Sequence, residues 1–222
     1  MDSDAYFQTR LSQDKSRQVL WPVICKYLQK FIWKDKKILE LACWYGDFIN
    51  NIQATEKYAS DIRDWSKKFL NDDVHFEVWD LSREWWEETY KKNYFDCVFM
   101  SNFLEHLDDN QLQILMDWIK RIINKDWKIV VIQPNFHYMY KDYFDDYTHK
   151  KIFTHVSLCD YIESNWFKMV HCEKKFLPWS FKKNKLPLRL SKLWLKMYFK
   201  QNLIRFWGQM FLVFKNKNES TK

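Results

Sequence analysis

The chain has 222 residues, 47% of them hydrophobic and 29% charged, the proportions of ordinary globular domains and not of disordered or collagenous chains. No apolar run approaches the roughly 18 residues that a membrane-spanning helix requires. Lys and Arg number 36 against 29 Asp and Glu, a net charge of +7, which permits an anionic partner without naming one.

The opening residues 1–10 are polar and acidic and lack the charged and apolar parts of a secretory signal, so a cytoplasmic protein is expected. Cys25, Cys43, Cys97, Cys159 and Cys172 are odd in number and far apart. They suggest buried thiols rather than a disulfide framework, and with no Cys-x-x-Cys pair no metal site is expected. The anomaly is glycine. An average chain of this length carries about 15, whereas this one has 2 Gly beside 13 Trp.

In chain order, residues 1–35 form a leading segment, helical around 19–32. Strand-like runs then follow at 37–41, 57–61, 74–78, 95–100 and 128–132, with helices expected between them, the alternation of a parallel sheet covered on both faces. Leu112, Leu115, Met116, Ile119, Ile122 and Ile123 recur at helical spacing behind Asp108 and Asp109, which suit a helix start. Residues 156–164 read as helix, 168–174 and 209–215 as strands, for seven strands in all. The core therefore spans 36–182 with an insertion at 135–153, rich in Tyr, Phe, Asp and His. Residues 183–222 add a basic amphipathic helix and a closing strand. The insertion follows a strand end, where open α/β sheets bind ligands, and can serve as a substrate wall or lid.

The run Ile38-Leu39-Glu40-Leu41-Ala42-Cys43-Trp44-Tyr45-Gly46-Asp47 reads as a strand leading into a tight turn. It resembles the first motif of class I S-adenosylmethionine-dependent methyltransferases, hydrophobic-x-acid-hydrophobic-G-x-G-x-G, with Ala42, Trp44 and Gly46 at the three glycine positions. Asp61 ends the second strand, where an acid can accept hydrogen bonds from ribose hydroxyls. Val78-Trp79-Asp80-Leu81 resembles the third-strand motif. Phe95-Asp96-Cys97-Val98-Phe99-Met100-Ser101-Asn102-Phe103-Leu104-Glu105-His106-Leu107 is similar to the fourth-strand signature. The resemblance, which covers about residues 36–175, implies a Rossmann-like α/β methyltransferase fold with a seven-stranded, mostly parallel sheet. It also implies S-adenosylmethionine as cofactor, held by Glu40, Ala42, Trp44, Gly46, Asp61, Asp80, Leu81 and Ser101.

Tryptophan stands where such proteins carry glycine at Trp44, Trp79, Trp127 and Trp166. One explanation is a decayed cofactor site in a catalytically inactive interaction protein. The other is decoding: UGA is read as glycine in some bacterial lineages and as tryptophan in others, so one gene read with the wrong table shows Trp for Gly throughout. Trp127 and Trp166, at a turn and a helix end away from the pocket, favour decoding.

Methyl transfer to oxygen needs a base, and His106 and His149 are the candidates, with Asp146 or Asp145 to orient the latter ring. Residues 143–154, and Asp4 to Leu11, resemble segments of bacterial methyltransferases of cell-surface glycan synthesis. A small-molecule or glycan acceptor, such as a lipid-linked sugar, is thereby implied. Leu190, Leu193, Trp194, Met197 and Tyr198 share one helical face among Arg189, Lys192, Lys196 and Lys200, so residues 189–205 can lie on an anionic membrane. RNA or DNA is the less favoured acceptor. The lysines are dispersed, and Ser101-Asn102-Phe103-Leu104 stands where base-amine methyltransferases carry an Asn-Pro-Pro-Tyr-type signature.

Overall fold

The structure is a computed structural model describing residues 14–81, 90–178, 187–201 and 208–217. Seven strands form one sheet: Lys37–Leu41 (β1), Glu56–Asp61 (β2), Val74–Val78 (β3), Phe95–Ser101 (β4), Ile123–Pro134 (β5), Phe167–Glu173 (β6) and Gln209–Asn216 (β7). Their order is β3-β2-β1-β4-β5-β7-β6. β1 to β5 are parallel, and β7 runs antiparallel between β5 and β6.

The central strands are almost wholly apolar because both faces are covered. Their side chains still alternate. Leu39, Leu41, Val98, Met100, Ile129 and Val131 point into one core, while Ile38, Cys97, Phe99, Val130 and Ile132 point into the other. The helices Asp109–Ile122 (α2) and His155–Ser164 (α3) supply the first core with Leu112, Leu115, Met116, Ile119, Leu158 and Ile162. The second takes Leu20, Ile24 and Leu28 from Lys15–Leu28 (α1), with Leu195, Tyr198 and Phe199 from Leu188–Gln201 (α4). The leading helix is thus part of the same core as the sheet.

Local chemistry sets the ends. Asp108 and Gln111 close a reciprocal capping box at the start of α2, and Thr154 with Ser157 does the same for α3, each satisfying orphan amides of the first turn. Asp14 accepts from Ser16 N at 2.9 Å and starts α1 ahead of the expected residue 19; the helix ends at Leu28 instead of 32.

Two intervals depart from the expected helices. After β1, residues 44–51 run as consecutive turns; Ala42, Trp44 and Gly46 are left-handed, so a right-handed helix cannot start before residue 47. After β2 a 3-10 helix, Asp64–Phe69, takes the place of an α-helix. β5 is also longer than expected, following α2 directly. Residues 4–11 and 202–205, which carried two of the sequence expectations, lie outside the described residues.

Candidate active site

The parallel registers bring the carboxyl ends of four strands level: Leu41 pairs with Ser60 and with Met100, and Asp61 pairs with Val78. The expected cofactor residues border this edge. Leaving β1, Ala42, Trp44 and Gly46 have φ of 54°, 53° and 67°, the left-handed conformation that glycine adopts at least cost. The three positions matched to motif glycines are therefore the three that need it. At Gly46 an added Cβ would also collide with the Leu70 and Asn50 side chains.

Two carboxylates hold this loop. Buried Glu40 accepts from Ile49 N at 2.9 Å, and burial pushes its pKa well above the ordinary carboxylate value. Asp61 accepts from Trp44 N at 3.0 Å and Arg63 N at 3.2 Å. Its pKa is also raised by burial, against the lowering effect of those amides. Its backbone carbonyl takes Trp79 N at 2.9 Å, so one residue ties together the ends of β1, β2 and β3. The Trp44 indole packs edge-on against Tyr45 and Trp65, each 5.5 Å between centroids. Asp80 and buried Leu81 follow β3, and Ser101 closes β4, with β2 and β1 between them.

The four tryptophans at family glycine positions divide in two. Trp44 and Trp166 are left-handed, the latter at φ 76°. Trp79 and Trp127 are not: they are buried, with Trp79 stacked on Trp118 at 4.5 Å and Trp127 edge-on to Phe167 at 4.7 Å.

A second group lies just past β4. The 3-10 turn Leu104–His106 presents Glu105 and His106, and the insertion is pinned to it by Lys150 N and Lys151 N, which donate to Glu105 O at 2.8 and 3.0 Å. This brings His149 to His106, with ring centroids 5.0 Å apart. The Glu105 side chain is 0% exposed. Its Oε2 accepts from Gln133 Nε2 at 2.6 Å, and its Oε1 lies 4.0 Å from His106 Nε2 and 3.9 Å from His149 Nε2. His106 Nδ1 is 2.9 Å from Thr148 Oγ1, which in turn donates to Asp146 Oδ1 at 2.7 Å. Burial lowers the His149 pKa, partly offset by Glu105, so its ring is neutral at pH 7.

All three expected catalytic residues thus meet, and Asp146 also reaches the His106 ring through Thr148. Glu105, Gln133 and Thr148 were missed. Glu105 was visible only as the neighbour of His106, and the other two carry no local signal. Glu105, His106 and His149, where no metal site was expected, each offer an atom that could serve as a ligand, all within 4.8 Å of one another.

A family model described as a methyltransferase domain matches residues 14–171. The chain belongs to the methyltransferase-domain family. The match begins at α1, consistent with that helix sharing the sheet's core. Among solved structures, this methyltransferase is similar to a SAM-dependent methyltransferase from Archaeoglobus fulgidus, with 21% identity and a TM-score of 0.64 over 97% of this chain and 100% of that one. It is also similar to an S-adenosylmethionine-dependent methyltransferase from Mesorhizobium loti, at 12% identity and a TM-score of 0.61 over 87% and 98% of the two chains. A third is the DhpI–SAH complex, at 12% identity and a TM-score of 0.60 over 96% and 90%. No curated protein matches the sequence. The methyltransferase has, among its described residues, no helix long and apolar enough to cross a membrane.

Proposed function

We propose that this methyltransferase moves the methyl group of S-adenosylmethionine to a hydroxyl oxygen of a small-molecule or glycan acceptor. The observation that carries this reading is the Glu105–His106–His149 group beside the end of β4, which offers neutral imidazole nitrogen to a reacting hydroxyl. The donor's residues fit. Backbone amides of the left-handed loop turn about the edge, and the Asp61 carboxylate retains acceptor capacity for a ribose hydroxyl beyond the amides of Trp44, Arg63 and Ile62. The poor fit is Trp44, whose indole fills space that a glycine leaves open.

When bound, S-adenosylmethionine supplies a methyl on a sulfonium, a good leaving group. The protein's part is chiefly positioning. Glu40 and Asp61 hold the loop, and the insertion walls the acceptor side. An imidazole of His106 or His149 would take the proton of the acceptor hydroxyl as its oxygen receives the methyl group. Tyr140, Phe144 and Tyr147, all exposed on the insertion, provide ring faces suited to a sugar.

Calorimetry with S-adenosylmethionine tests the reading on the chain as written and on Trp44→Gly. Binding by either, followed by labelled-methyl transfer to hydroxyl acceptors, supports it. If neither binds, the catalytically inactive interaction protein replaces it; transfer to RNA or DNA alone would make a nucleic acid the acceptor.

A membrane-bound acceptor is favoured by α4. Its inner face, Ser191, Leu195 and Tyr198, is buried, while Leu190, Leu193, Trp194 and Met197 are exposed among Arg189, Lys192, Lys196 and Lys200. Tyr198 leaves the expected outer face, donating inward to Phe176 O at 3.0 Å. The remaining face suits an anionic lipid surface, where a lipid-linked sugar would be met.

A further inference from the structure

Thr148 Oγ1 has one proton and gives it to Asp146 Oδ1 at 2.7 Å, so toward His106 Nδ1, 2.9 Å away, it accepts. His106 therefore carries a proton on Nδ1, and its Nε2 lies 4.0 Å from Glu105 Oε1. His149 Nε2 approaches the same oxygen at 3.9 Å. That oxygen is buried and accepts no hydrogen bond among the described residues, while its twin is taken by Gln133. A buried carboxylate oxygen without a donor is costly unless a positive charge lies beside it, and a metal ion held among this oxygen and the two imidazoles supplies that charge.

We infer that Glu105 Oε1, His106 Nε2 and His149 Nε2 bind one divalent ion of the zinc class. Two imidazoles and a carboxylate form a donor set that such ions take, leaving a fourth position open. Bonds of 2.0–2.1 Å in tetrahedral geometry set donors about 3.4 Å apart. The two spacings to Glu105, 3.9 and 4.0 Å, need to close by about half an ångström, and the wider separations in the group, up to 4.8 Å, by up to about 1.4 Å, which takes rotation of both imidazole side chains. The surrounding shell is also in place: Thr148 and Asp146 fix the His106 tautomer, Gln133 holds the second carboxylate oxygen, and Lys150 N and Lys151 N fix the backbone of Glu105. In the open position the ion would raise the acidity of an acceptor hydroxyl, a role that takes the place of the imidazole base because both Nε2 atoms are then bound. That use rests on the proposed methyl transfer; the binding itself does not.

The test uses the full chain stripped with a chelator, then titrated calorimetrically with Zn2+, with Co2+ for its visible absorption, and with Mg2+ as an oxygen-preferring control. The expected result is one Zn2+ per chain, a Co2+ spectrum of low-coordinate type, and far weaker Mg2+ binding. Glu105→Gln and His106→Gln should each weaken Zn2+ about tenfold or more, and Thr148→Val, acting through the His106 tautomer, about tenfold. The partly exposed His106 is the safer substitution for folding, checked by an unchanged melting temperature. No Zn2+ uptake, or uptake equal in all variants, overturns the site and leaves the two rings as a proton-sharing pair. S-adenosylmethionine is titrated alongside: donor binding without metal uptake overturns only this inference, and metal uptake without donor binding supports the site while removing the donor reading.

Discussion

Trp166 is left-handed at φ 76° and 67% exposed, just past the end of α3. An L-residue pays roughly 1–2 kcal/mol for that conformation, and a side chain so exposed recovers little of it by burial. Trp166→Gly should therefore stabilise the protein by about 1 kcal/mol, raising the melting temperature by about 2–4 °C. Trp166→Ala, which keeps a Cβ, should not. Trp44 has the same backbone strain but would lose its contacts with Tyr45 and Trp65, so Trp44→Gly should change stability little and show its gain in donor affinity. Decay of a cofactor site accounts for Trp44 and not for Trp166; decoding accounts for both. UGA codons at 44 and 166 in the gene of a glycine-decoding host are expected, and UGG at both excludes that explanation. At Glu40 the issue is charge. Burial raises its folded pKa, so the native state holds the proton more tightly than the unfolded chain, and the stability this contributes, full below about pH 4.5, is lost as pH rises through the folded value. Glu40→Gln, which still accepts from Ile49 N, should thus gain stability over the parent increasingly above about pH 4.5. Parallel urea titrations from pH 4 to 8 check this, and a constant difference would contradict it.

At the scale of elements, α4 presents two faces of different chemistry. Burial of Leu195 and Tyr198 fixes the inner one, and Leu193, 55% exposed, lies at the centre of the outer one. Vesicles containing phosphatidylserine should bind the protein, and Lys192, Lys196 and Lys200 changed to Glu should abolish binding without altering the fold. Each basic residue near such a surface contributes about 1 kcal/mol, so the loss should exceed about a hundredfold in sedimentation assays. Equal binding to neutral vesicles would remove the charge argument. The strands were legible because their apolar runs are bounded by polar turns. β1 and β3 start and end where the pattern places them, and the other strands agree to within two residues except for the early start of β5. The segment after β1 was legible in part. Its motif marked Ala42, Trp44 and Gly46 as special positions, yet the βαβ rhythm still suggested a helix there, since periodicity does not register backbone handedness. Glu105 was illegible for another reason. Its surroundings come from β4, β5 and the insertion, and only the folded sheet brings Gln133 and His149 to it.

For the molecule as a whole, the decisive strand is the last one. The family match ends at residue 171, which suggests that the remainder is an accessory, but the topology argues otherwise. β7 lies between β5 and β6 and pairs with both, and among the described strands β6 joins the sheet only through it. Phe211 and Val213 from β7, with Leu195, Tyr198 and Phe199 from α4, also complete the core over which α1 packs. A chain ending at residue 178 would leave β6 without a partner, expose one edge of β5, and uncover apolar side chains worth about 1.5–3 kcal/mol each when buried. Losing five of these, about 7.5–15 kcal/mol together, is comparable to the whole stability of a typical domain, about 5–15 kcal/mol. The truncated chain should therefore lack a cooperative melting transition and near-ultraviolet dichroism, whereas full-length Phe211→Ala should still fold with a loss of about 3–5 kcal/mol. A cooperative transition in the truncated chain would mean that β5 can close the sheet unaided, and that β6 and β7 are an appendage rather than part of the core.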